Sequence, residues 1–315
     1  MSGKLSHQQH RRIRAQHERR LEAADADAAI VVAHLGYEVI VSHHGELHAC
    51  DWRKRSNDIA VNDRVLVRHG KDGRPVIEAV YPRERTLYKW QGRKAKPVVS
   101  HIDQLLVCIA IEPAFQTALI DRYLIAAREA GIEAAILVNK TDLADAAARA
   151  ALDAQLSPYR MLGHSIFYAA VEQRLGLAAL EDWLTGRETV LCGQSGVGKS
   201  SLIKQLIPDA DIWIQAISQA TGLGRHTTTN LRRYPLDDAT ALIDTPGVRG
   251  FALTHLEREQ ILAGYPDITA HAAHCRFADC SHHHEPDCAV QLALANGDIV
   301  RARYDSLMQL LDETP

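Results

Sequence analysis

Residues 188–206 read ETVLCGQSGVGKSSLIKQL. The first five form a short apolar run suited to a buried strand, and the last six suit a helix. The loop between them matches the pattern G-x-x-x-x-G-K-[ST]. Glycines in such a loop let backbone N–H groups wrap a phosphate chain. A lysine then reaches the outer phosphates, and a hydroxyl at the helix start binds Mg²⁺. The candidate phosphate cradle is therefore Gly193, Gln194, Ser195, Gly196, Val197, Gly198, Lys199, Ser200 and Ser201. The strand–loop–helix setting gives the match its weight and points to an α/β sheet.

Outward from this stretch, QLLVCIAIE (104–112), EAAILVN (133–139) and TALIDTP (240–246) are further short, nearly continuous apolar runs. Strands covered by helices on both faces have this texture. Between the first two, Leu119, Ile120, Tyr123, Leu124 and Ala127 recur at helical spacing, and a helix is expected over 114–130 with Gly131 as its stop. Ligands of such sheets sit at the carboxyl ends of the strands, and two further strand ends carry suitable residues.

Asn139, Lys140, Thr141 and Asp142 follow the second run. A carboxylate at Asp142 can accept from both N1–H and the exocyclic amine of guanine, donors that adenine lacks on that edge. A partly buried carboxylate left unpaired is costly, so the pattern favours guanine. Asn139 can hold the other base edge, and the Lys140 stem can pack over the ring. Asp244 begins DTPG, in which the carboxylate would orient Mg²⁺ through water and the Gly247 N–H would sense a γ-phosphate. Upstream, GLGRHTTT (222–229) suits a switch loop, with Thr228 completing the Mg²⁺ shell. Val248 follows Gly247 where many GTPases place a water-orienting glutamine. His226 is the candidate catalytic substitute, with Arg225 or Arg249 as charge-neutralising alternatives.

The order of these motifs is unusual. NKTD at 139–142 precedes the phosphate loop, and DTPG at 244–247 comes last. This is a circular permutation of the ordinary GTPase order, and it leads the DTPG segment directly into the C-terminal residues.

On the N-terminal side, AAIVVA, GYEVIVS, GELHAC, AVNDRVLVRHG and GRPVIEAVY alternate between turn residues over 28–81. Five short strands at this spacing predict a small barrel of OB type. Two basic segments flank it. Lys4, Arg11, Arg12, Arg14, Arg19 and Arg20 face only Glu18 within residues 1–20. Arg83, Arg85, Lys89, Arg93, Lys94 and Lys96 are interleaved with Tyr81, Tyr88 and Trp90. Cations with aromatics suit RNA phosphates and unstacked bases, although the net charge of the whole chain is −3. On the C-terminal side, Cys275, Cys280 and Cys288 cluster with a histidine to suit a closed, structural Zn²⁺ site; His282, His283, His284 and His274 compete for the fourth place.

The 315 residues are 46% hydrophobic and 5% aromatic, enough for aliphatic cores in more than one unit. No apolar run approaches the ~20 residues of a membrane-spanning helix, and the basic N-terminus lacks a signal-like apolar stretch. A cytoplasmic protein is expected, with no membrane partner.

Together these residues resemble the ribosome small subunit-dependent GTPase A family of circularly permuted bacterial GTPases. The resemblance rests on the KLSHQQHRRI arm, the barrel, NKTD, GQSGVGKSS, GRHTTT, DTPGVRG and the Cys-x4-Cys-x-His-x5-Cys pattern. It implies GTP hydrolysis to GDP stimulated by the small (30S) ribosomal subunit, in late maturation of that particle and release of assembly factors, with rRNA gripped by barrel and zinc domain. It also selects His282 as the fourth zinc ligand. The expected organisation is a flexible arm (1–28), an OB-fold barrel (29–85), a permuted GTPase domain (90–253) and a helical zinc-binding domain (254–315), in a monomer. The alternatives are a GTP-gated RNA-binding module and a permuted GTPase of large-subunit assembly. One departure stands out: Tyr168-Ala169-Ala170 occupies the place of a [ST]-A loop, so its small hydroxyl is missing.

Overall fold

The computed structural model describes residues 28–35, 38–52, 59–70, 74–91, 94–221, 231–245, 253 and 255–313. Five strands form the N-terminal barrel: β1 (Ala29–Leu35), β2 (Glu38–His43), β3 (Glu46–Trp52), β4 (Arg64–His69) and β5 (Pro75–Val80). Their order is β1-β2-β3-β5-β4, and the pairs Ala29↔Val65 and Ile30↔Arg64 close β4 back onto β1. The one parallel pairing, β3 with β5, completes the OB-fold order. Ala29, Val31, Val39, Val41, Val65 and Ile77 fill the interior. The other face of β1 and β2 is also apolar, because Val32, Ala33 and Ile40 pack on Ile217 of a helix from the neighbouring domain.

Strands β6 (Leu87–Gln91) and β7 (Lys94–Val99) form a separate hairpin after the barrel. A buried polar knot fixes the junction. Asp63, at 0% exposure, accepts both Arg83 Nε and Nη2 at 2.7 Å, the Ser100 hydroxyl at 2.6 Å and the Ala60 N–H at 2.8 Å. An unpaired carboxylate at that depth would be strongly destabilising, so these partners hold one arrangement of barrel and following chain.

The central sheet contains β8 (Gln104–Ala110), β9 (Glu133–Asn139), β10 (Ile166–Tyr168), β11 (Glu188–Cys192), β12 (Arg232–Pro235) and β13 (Ala241–Asp244), in the order β10-β9-β8-β11-β13-β12. All but β12 run parallel, and β12 joins the sheet to the barrel through Ala33↔Arg232. Every residue of β8 is buried. Leu105, Val107 and Ile109 face one core, and Leu106, Cys108 and Ala110 face the other. Two covered faces explain the unbroken apolar run. The first face receives α1 (Thr117–Glu129) and α2 (Ala146–Met161); the second receives α3 (Ala178–Leu184) and α4 (Lys199–Leu206), while α5 (Ala210–Thr221) lies towards the barrel. Helix α1 starts later than the expected 114, because the carbonyls of Pro113 and Ala114 accept the Gln194 side-chain amide at 3.2 and 2.8 Å outside the helical ladder.

Four short helices complete the chain: α6 (Arg258–Leu262), α7 (Pro266–Ala272), α8 (Ala289–Asn296) and α9 (Arg301–Asp312). They share a core with α1, since Ile261, Ile268, Leu307 and Leu310 join Ile120 and Tyr123. Arg303 of α9, 1% exposed, pairs with Asp121 of α1 and grips Asp267 of α7 through Nε and Nη2 at 3.0 and 2.7 Å. Tyr159 donates to Asp121 at 2.7 Å, and Ser306 donates to it as well. Burial pushes the Asp121 carboxyl up, while the Arg303 guanidinium opposes that shift. Removing either partner of such a pair costs about 3–5 kcal/mol.

Candidate nucleotide site and Cys/His centre

The phosphate-loop residues lie between β11 and α4, as strand–loop–helix. Two glycines are dictated by close approach. A Cβ on Gly193 (φ 136°) would stand 2.1 Å from the Cys108 carbonyl oxygen, and one on Gly198 (φ 99°) would stand 2.1 Å from Asn139 Nδ2. Lys199 Nζ donates to the carbonyls of Gly193 and Gln194 at 2.8 and 2.9 Å, which seats the ammonium on the loop itself. Ser200 is exposed in the first turn of α4, where backbone N–H groups and the helix dipole favour an anion.

Asn139, at the end of β9, is 3% exposed and joins three segments. Its Nδ2 donates to the Val197 carbonyl at 2.9 Å, and its Oδ1 accepts the N–H groups of Lys140 and Val171 at 2.7 and 3.1 Å. Lys140 takes a left-handed conformation (φ 57°) and sends its ammonium to the Glu112 carbonyl at 2.8 Å. Thr141 N–H donates to the Ala169 carbonyl at 3.2 Å. Asp142 is exposed rather than partly buried, and its Oδ2 accepts Gln173 Nε2 at 3.3 Å. The desolvation that penalises a wrong base therefore arises only when a base covers this carboxylate.

Asp244 ends β13 beside Leu191 of β11 and is 8% exposed. Its Oδ1 is buried with no hydrogen-bond partner among the described residues. Burial pushes the carboxyl above its usual range, and the Lys199 ammonium opposes the shift. A buried, unsatisfied carboxylate oxygen close to a lysine and to the Ser200 turn is a donor set that fits a hydrated divalent cation. Thr228, His226, Arg225, Gly247, Val248 and Arg249 lie outside the described residues, as do residues 1–27.

Cys275, Cys280, His282 and Cys288 come together, with their ligand atoms all within 4.8 Å of one another. Cys275 Sγ and Cys288 Sγ are 3.9 Å apart, and His282 Nδ1 lies 3.6 and 3.5 Å from them. A tetrahedron of metal–sulfur bonds near 2.3 Å has edges of about 3.8 Å, so this cluster is compatible with zinc. His282, not His274, His283 or His284, supplies the imidazole. It is held by its own carbonyl, which accepts Gln291 Nε2 at 2.5 Å and the Tyr304 hydroxyl at 2.9 Å.

The basic segment at 83–96 divides between structure and surface. Arg83 belongs to the Asp63 knot, Arg85 pairs with Asp103 at 2.9 Å, Tyr81 is buried, and Trp90 stacks on His255 with centroids 4.2 Å apart. Lys89, Lys94 and Lys96 are exposed, and the pairs Lys89↔Lys96 and Gln91↔Lys94 put them on one face of the hairpin. Like charges placed directly opposite cost stability, and among the described residues no ion pair offsets this. Arg93 lies outside the described residues.

The pattern of the RsgA GTPase family matches residues 80–254, more than half of the chain. The Small ribosomal subunit biogenesis GTPase RsgA of Dichelobacter nodosus is 55% identical over 311 residues, covering 98% of each chain. Its counterpart of the same name in Yersinia pseudotuberculosis is 36% identical, covering 98% of this chain and 94% of its own. Among solved structures, YjeQ from Thermotoga maritima superposes with a TM-score of 0.67 at 28% identity, over 91% of this chain and 98% of that one. YloQ, a circularly permuted GTPase, gives 0.60 at 25%, over 92% and 96%. The likeness thus runs along nearly the full length, and the chain belongs to the RsgA GTPase family.

Proposed function

We propose that this protein hydrolyses GTP to GDP and phosphate on the small ribosomal subunit, timing a late step of that particle's maturation. The observation that carries the reading is the Asn139 bond to Val197. It joins the candidate base loop to the candidate phosphate loop across 58 positions of sequence. In this reading Asp142 reads the guanine edge, with Asn139, Lys140 and Thr141 shaping the base loop. Residues 193–201 wrap the phosphates, and Lys199 leaves the Gly193 and Gln194 carbonyls to meet them. Ser200, Asp244 and Thr228 would hold Mg²⁺, which supplies charge neutralisation across the outer phosphates, and the Gly247 N–H would register the γ-phosphate. Cys275, Cys280, His282 and Cys288 would hold one structural Zn²⁺. Functional units are placed at 1–28, 29–85, 90–253 and 254–315.

His226 is proposed to orient the attacking water, since Val248 has no group to do so. His226→Ala should keep GTP affinity while most subunit-stimulated turnover is lost, because a group acting in the transition state lowers turnover rather than binding. Stimulated turnover equal to the unaltered protein would move the role to Arg225 or Arg249. The basic arm and the Lys89, Lys94 and Lys96 face are the proposed contacts to rRNA. The protein is taken to act as a cytoplasmic monomer; among the described residues no helix is long and apolar enough to cross a membrane.

The test of the nucleotide assignment is Asp142→Asn. An amide can donate to the oxo group of xanthine, so GTP affinity should fall by roughly 100-fold or more while xanthosine triphosphate gains. Unchanged GTP affinity in that variant would sink the assignment.

A further inference from the structure

We propose that Gln173 is a positioning residue for guanine recognition: its side-chain amide orients the Asp142 carboxylate that reads the base. The inference rests on the assignment of Asp142 as the base reader. Asp142 is exposed, and a single side chain, Gln173, reaches it among the described residues, with Nε2 3.3 Å from Oδ2. A carboxylate on a short exposed stem rotates about χ2 unless one oxygen is held. With Oδ2 held by one donor, both oxygens stay in a fixed plane and still have lone pairs for N1–H and the exocyclic amine.

The loop carrying Gln173 is itself pinned. Val171–Gln173 form a 3₁₀ turn whose Val171 N–H is bonded to Asn139 Oδ1 at 3.1 Å. Arg174 Nη1 donates to the Gln205 carbonyl at 2.8 Å, and Gln205 Nε2 reaches back to the Glu172 carbonyl at 3.4 Å. Gln173 is therefore presented from a framework anchored to both the base loop and α4. The neighbouring hydroxyl cannot serve instead. The Tyr168 hydroxyl donates a hydrogen bond to Asp153 at 2.5 Å, and Ala169 has no polar side chain, contributing only its carbonyl to Thr141 N–H. A glutamine in the 3₁₀ turn that follows does by side-chain reach what a hydroxyl on the loop would do locally.

The test is equilibrium binding of GDP, IDP and ADP to the full chain and to Gln173→Ala and Gln173→Glu. IDP keeps N1–H and lacks the exocyclic amine, so the GDP/IDP ratio reads how squarely the carboxylate meets both donors. Gln173→Ala should weaken GDP roughly tenfold, the loss of one hydrogen bond to a charged acceptor, and narrow the GDP/IDP ratio. Gln173→Glu, which sets a second carboxylate against Asp142, should weaken GDP further still. The thermal midpoint without nucleotide should stay within a few degrees, since the side chain is exposed. Equal losses for GDP and IDP, or no loss at all, would overturn the role of Gln173 while leaving Asp142 as the base reader. Failure of the unaltered protein to prefer GDP over ADP would instead overturn the base assignment beneath it.

Discussion

Asn139 shows what a motif letter does physically. Its amide uses both ends, donating to Val197 and accepting from Lys140 and Val171, so one buried side chain aligns the base loop, the phosphate loop and the 169–176 loop. The residue type was legible from NKTD, and Lys199 and Asp244 were legible from their own motifs. Their mutual contacts were not, because they join positions far apart in sequence. Gln173 was invisible for a related reason: it belongs to no motif, and only tertiary proximity gives it a partner. Asn139→Ala should lower GTP affinity by roughly 100-fold, since it strands a buried carbonyl and two N–H groups at about 1–3 kcal/mol each. Titration with a fluorescent GDP measures this, and affinity within twofold of the unaltered protein would show that the loops align without it.

At the scale of elements, runs such as QLLVCIAIE announced strands, because strands covered on both faces are built mainly of apolar residues. Other elements carried weaker signals. Strand β10 is three residues long, and β12 reads RRYP. In β12, Arg233 is buried only because Glu188 accepts its Nη2 at 2.5 Å and its Nε at 3.2 Å, and Pro235 is tolerated on a short strand beside the sheet's last parallel member. The β6–β7 hairpin was concealed by its lysines, which made it read as a charged arm; Arg83 and Arg85, just before it, are held in ion pairs, while Lys89, Lys94 and Lys96 stay exposed.

The Cys/His segment was legible as a ligand set, and its four ligand atoms converge as the spacing requires. It has no helix of its own between Ala272 and Ala289, so its shape depends on those ligands. Metal-binding free energy in such a segment is also folding free energy. One zinc per chain is therefore expected. Chelation should expose three reactive thiols, while Cys50 and Cys108, each held at about 12 by burial, stay unreactive in the folded protein. GTP binding should largely survive, because the base and phosphate loops lie elsewhere. Metal analysis with thiol titration checks this, and an absence of zinc in freshly purified protein would refute the site.

For the whole molecule, the permutation matters mechanically. The chain leaves β13 at Asp244, passes the DTPG segment and reaches His255, which stacks on Trp90 of the lysine-bearing hairpin. Beyond it, Arg303 ties the C-terminal helices to α1 through Asp121. A change at the γ-phosphate thus has a short path along the chain to His255, whose ring stack reaches the hairpin proposed to meet rRNA, and onward along the chain to the Cys/His segment. Such coupling predicts that the ribosomal particle and the nucleotide site influence each other's free energies. The most direct test is the rate of GTP turnover by the purified protein alone, with small subunits and with large subunits. Turnover should be slow alone, accelerated by at least tenfold with small subunits, and unchanged with large ones. Equal turnover in all three would contradict a hydrolytic timer and leave a GTP-gated RNA-binding protein; acceleration by large subunits alone would assign the protein to the other particle.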